Sequence, residues 1–135
     1  MQDKPSAEKL LAAARAFLSD TVMPQLSGHA AFHARVAGNV LDILARELEL
    51  APGFNKAEQA RLESMLGESG SLEALNCKLC EKIATGEIDL SNEKLKIHLI
   101  KTTMGKLAID QPRYQGYKTA QANGWPEEVS REKIK

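Results

Sequence analysis

His29 and His33 stand four residues apart, a spacing that puts two imidazoles on one face of a helix and can hold a metal ion. The residues between them are Ala30, Ala31 and Phe32, so the carboxylate that serves as general base in the zinc-protease motif is missing. Both histidines also project onto an apolar arc, where a hydrogen-bonded histidine at the edge of a core is the ordinary case. Cys77 and Cys80 form a C-x-x-C pair. A redox pair of this kind needs a helix N-terminus to lower the thiol pKa. Here it lies inside a helical pattern beside Lys78 and Leu79. A structural zinc needs a second ligand pair, and only His98 and the distant His29 and His33 are on offer. Packing is the expected role of both cysteines. There is no G-x-S-x-G elbow, phosphate-binding P-loop or G-x-G-x-x-G. The sequence therefore assigns no catalytic residue, no metal site and no cofactor, and the balance is against an enzyme.

A second polar set has more to offer. His33, Arg35, Asn39, Asp42 and Arg46 lie along one helical segment. Asn is a poor helix former, so Asn39 in mid-helix invites a reason. The plain reading is a surface ladder of Arg35 with Asn39 and Asp42 with Arg46. The sharper one is a groove for a partner helix or a small anion, which Arg113 and Tyr114 complete. His33, Arg35, Asn39, Arg113 and Tyr114 are thus the candidate ligand or partner groove.

Five helical segments must position these residues. The first follows Ser6, a candidate N-cap, and carries Leu10, Leu11, Ala14, Phe17, Leu18 and Val22 on one face until Pro24 stops or kinks it. The second runs from about Gly28 to Leu50, with Phe32, Val36, Ala37, Val40, Ile43, Leu44 and Leu48 on one broad arc, and ends at Pro52-Gly53. The third starts at Asn55 with Glu58 in capping-box register and ends at Gly67. The fourth starts near Ser71, carries Leu72, Leu75, Leu79 and Ile83, and stops at Gly86. The fifth follows Ser91 and reaches about Ile109. It has Ile97, Ile100, Met104, Leu107 and Ala108 on one face and Leu95 and Leu99 roughly opposite, so it is either sandwiched or covered by something else. Strand-like alternation is absent.

These segments predict an all-α fold, an antiparallel bundle of four to five main helices over residues 1–109. Residues 110–135 form a C-terminal extension of the same domain packed on it. That extension holds Tyr114, Tyr117 and Trp125, whose large apolar area calls for a place on the bundle or on a partner, and PEEVSREKIK is a candidate short helix starting at Pro126.

Eighteen basic residues offset eighteen acidic ones, which argues against nucleic acid and against an anionic membrane surface as partners. No apolar run approaches a membrane span, and the first residues lack a signal-peptide pattern, so a cytoplasmic protein is expected.

Ala31–Leu50 (AFHARVAGNVLDILARELEL), Lys106–Tyr117 (KLAIDQPRYQGY) and the opening PSAEKLLAAARAFL together resemble a bacterial family of small helical domains of unknown function. Members of that family are associated with acyl-CoA dehydrogenases and with aminoglycoside-phosphotransferase-like kinases. The resemblance implies a context in acyl-CoA metabolism, with such a dehydrogenase or kinase as partner, and carries over no catalytic residue. The expected function is a non-catalytic accessory domain that binds a partner protein, a second copy of itself included. The rival is a small-molecule or acyl-group binding protein with its pocket between helices.

Overall fold

The computed structural model describes residues 4–124, and among them every regular element is helical. The all-α expectation holds. Five α-helices follow one another: α1 (Ala7–Ala16), α2 (Gly28–Leu66), α3 (Leu72–Ala84), α4 (Glu93–Asp110) and α5 (Gln115–Ala122). The candidate helix from Pro126 lies outside the described residues.

The helix ends follow local chemistry. α1 passes into a π-helical turn over Phe17–Val22 and a 3-10 turn over Met23–Gln25, where Pro24 ends the run as expected. Ser71 caps α3, its hydroxyl accepting from the Ala74 N–H, and the Asn92 side chain caps α4 by accepting from the Lys94 and Leu95 N–H groups. Gly86, at φ 74°, takes the left-handed position that closes the α3 end.

The expected break at Pro52-Gly53 does not occur. α2 runs for 39 residues with Pro52 inside it, and Asn55 is a mid-helix residue, not a cap. Proline removes one N–H and crowds the carbonyl four residues back. Two residues on, the Phe54 ring packs on α4, so close to Gly105 that a Cβ there would lie 3.3 Å from its Cγ.

The chain divides into two compact units, Met1–Leu50 and Ala51–Lys135, with α2 contributing to both. In the second unit Leu62, Leu75, Leu79 and Leu95 form a buried cluster, against which Met65, Leu66, Leu72 and Ile88 pack. Burying each of those leucines is worth about 1.5–3 kcal/mol. Asn76 donates to Glu58 at 2.9 Å and Gln59 donates to the Gly70 carbonyl at 2.8 Å, tying α3 and its entry turn to α2. α4 resolves the question of its two apolar faces. Leu95, Met104, Ala108 and Ile109 are buried, so this helix is largely sandwiched, while Ile97 and Leu99 are exposed. Tyr117 of α5, 1% exposed, is buried in this unit, and its hydroxyl accepts from Gln121 at 3.1 Å.

The first unit is built differently. It is a helical hairpin of α1 and the first half of α2. Among its described residues only Ala34 and Gly38 are buried, and no large apolar side chain is.

Candidate functional site

Why a hairpin so rich in apolar residues buries so few is answered by where they sit on α2. At about 100° per residue, Ala34, Gly38, Leu41, Asp42 and Ala45 share one side of this helix. That is the side α1 packs on. Arg15 lies over Gly38, where a Cβ would be 3.5 Å from its Cζ, and its Nε donates to Asp42 Oδ1 at 2.8 Å. Small residues let two backbones approach closely. The hydrophobic pattern draws attention to large residues, so it picked the opposite face as the core side.

Phe32, Val36, Val40, Leu44 and Leu48 recur every four residues in a row that starts on that opposite face and winds round the flank of the helix. Their exposures are 54%, 43%, 49%, 46% and 42%. The arc is where the sequence placed it, but it faces solvent and not the hairpin. His29, His33 and Glu47 share this face and are exposed with it, so the histidines are surface residues and not edge-of-core ones. The His33 ring meets the Phe32 ring edge-on, centroids 5.6 Å apart. Glu47 is the one carboxylate on the stripe, and no lysine or arginine lies on it.

Between α1 and α2 runs a groove of about 660 Å³ that includes Glu8, Arg15, Ser19, Asp20, Asp42 and Glu49 in its walls. Four carboxylates outnumber one guanidinium, and Asp42 already occupies that guanidinium. Its hydrogen bond and its charge raise the Arg15 pKa above the ordinary arginine value, with a smaller contribution from Asp20. A ligand carrying phosphates or a carboxylate finds little attraction here. Asp42 thus pairs across the hairpin with Arg15, a partner that a reading confined to one helix could not supply.

In the second unit a smaller groove of about 310 Å³ is lined by Ala60, Arg61, Ser64, Lys94 and Ile97. The Arg61 Nη2 donates to Thr102 Oγ1 at 3.2 Å. His98 is buried in α4.

The five candidate groove residues fall in both units. His33, Arg35 and Asn39 are exposed on α2 in the first, while Arg113 and Tyr114 are exposed between α4 and α5 in the second. None of them lines either groove described above. The Tyr114 ring instead covers Gly116, where a Cβ would meet Cε1 at 2.6 Å. Cys77 and Cys80 are free thiols, and both are exposed on the side of α3 away from Leu75 and Leu79. They are not packing residues. Spacing alone does not distinguish the two sides of α3, whereas the leucine stripe does.

Among the described residues no cluster of three or more histidines, cysteines or carboxylates is placed to hold a metal, and no helix is long and apolar enough to cross a membrane. What remains is an all-α protein whose most distinctive surface is the large-residue face of α2. The chain belongs to the family described as a domain of unknown function (DUF6285), which matches residues 24–114 and so more than half of its length. No curated protein and no solved structure matches it.

Proposed function

We propose that this chain is a protein-interaction module, a helical accessory domain that docks through the large-residue face of α2. One observation carries the reading: five large apolar side chains in unbroken i, i+4 register are each about half exposed, on a unit that buries none of its own. Scattered apolar residues on a surface need no explanation, but a contiguous stripe is a mark of an interface. A two-helix hairpin with so little core gains most of its stability from what it packs against. The context in acyl-CoA metabolism is supported by the resemblance of Ala31–Leu50 and Lys106–Tyr117, and makes an acyl-CoA dehydrogenase or an aminoglycoside-phosphotransferase-like kinase the heterologous partner to examine first.

The test places a photo-crosslinking amino acid at position 40 of the full chain in the native host. A covalent adduct with protein that disappears when Leu44 is changed to Asp supports docking through this face. Absence of any adduct at position 40, with adducts absent at positions 36 and 44 as well, overturns it.

A further inference from the structure

Building on the docking reading above, we infer that the occupant of the α2 face is a second copy of this chain, packed antiparallel with Val40 on the twofold axis. Three features of the stripe point that way. First, it is centred. Phe32 and Val36 precede Val40 at spacings of eight and four, and Leu44 and Leu48 follow at four and eight. At about 100° per residue Val36 and Leu44 lie on either side of Val40, so an antiparallel copy sets Val36 close to Leu44 and Val40 on itself, with Phe32 and Leu48 flanking the seam. That is the self-complementarity a twofold interface requires.

Second, the polar residues obey the same symmetry. His33 lies seven residues before Val40 and Glu47 seven after it. Each copy then brings its imidazole against Glu47 of the second copy, an N–H donor to a carboxylate acceptor at both ends of the interface. A parallel pairing would instead stack Glu47 on Glu47, a like-charge contact.

Third, the area fits a modest dimer. Five half-exposed side chains leave on the order of 400 Å² of apolar surface per copy, which with a polar rim gives about 650 Å², the lower end of stable interfaces. The stripe has no lysine or arginine to attract phosphate, so nucleic acid and an anionic bilayer are poor alternatives.

Sedimentation equilibrium of the full chain from about 1 to 200 µM is the test, a range that covers weak and transient association at the low end of interface sizes. The expected result is a monomer–dimer equilibrium. Val40→Asp abolishes it with helical circular dichroism unchanged, as suits a substitution at an exposed position. His33→Glu weakens the dimer at least tenfold, and the exchange His33→Glu with Glu47→His restores it. A parallel arrangement would not recover on that exchange. A monomer across the whole range overturns the second copy as occupant. If position 40 then still crosslinks to a different protein, docking stands and only the partner changes. If positions 36, 40 and 44 all crosslink to nothing, both fail.

Discussion

Arg15 and Asp42, 27 residues apart in the chain, join α1 to α2 by two parallel contacts: Nε to Oδ1 at 2.8 Å and Nη2 to Oδ2 at 3.3 Å. The forked geometry suits arginine and not lysine. Both side chains are about one-third exposed, so water and salt weaken the attraction. Arg15→Lys and Asp42→Asn each lower the melting temperature of the full chain by a few degrees at most. The exchanged pair, Arg15→Asp with Asp42→Arg, recovers part of that. In about 1 M salt the differences shrink, and thermal denaturation at two ionic strengths reads both effects.

Gly38 sits under Arg15 with room for one methyl group and no more. Gly38→Ala removes a helix-breaking residue at an ordinary contact distance and stabilises by about 0.5–1 kcal/mol. Gly38→Leu forces Arg15 away and destabilises. Chemical denaturation of the two variants gives shifts of opposite sign; a Leu variant as stable as the Ala one would mean that α1 does not pack here.

Leu62 is fully buried at the centre of the second unit, whereas Val40 is half exposed in the first. Leu62→Ala leaves a cavity and costs about 2–5 kcal/mol. At protein concentrations too low for association, Val40→Ala changes stability by no more than about 0.5 kcal/mol. Equal costs in urea titrations would contradict the burial difference.

Asp89 accepts from the Ser91 hydroxyl at 2.6 Å and from the Ser91 N–H at 2.8 Å, in the turn that leads into α4. The hydroxyl bond first, and the backbone bond second, hold its carboxyl below the usual aspartate value. Because the folded pKa is the lower one, this turn is stabilised at neutral pH and loses that support as pH falls through the folded pKa. Carbon-13 NMR titration should give a low midpoint for Asp89, and Ser91→Ala should return it toward the ordinary value.

Much of the helical order was readable from the sequence because caps and stops are local. Ser71 and Pro24 act within a few residues of themselves, so a short window suffices. Pro52 shows the limit. α2 runs on through it, and a local preference for a break yields to the fold as a whole. The face of α2 was legible in outline but reversed in sense. A pattern of large apolar residues shows that a stripe exists and not what covers it, while the contact with α1 is marked by Ala34 and Gly38, which carry little hydrophobic signal. Arg15 was missed as Asp42's partner because pairing between helices leaves no fixed spacing. The signal available was a lone arginine within the apolar pattern of α1.

The span shared with DUF6285 begins at residue 24 and ends at 114, after α1 and before Tyr117. Yet Arg15 rests on Gly38, and Tyr117 is among the most deeply enclosed side chains of the molecule. Sequence likeness and mechanical self-sufficiency therefore have different edges in this chain. A fragment cut at the borders of the likeness would lose the helix that shields Gly38 in the first unit and the aromatic ring buried in the second, and anyone expressing the domain should carry both flanks.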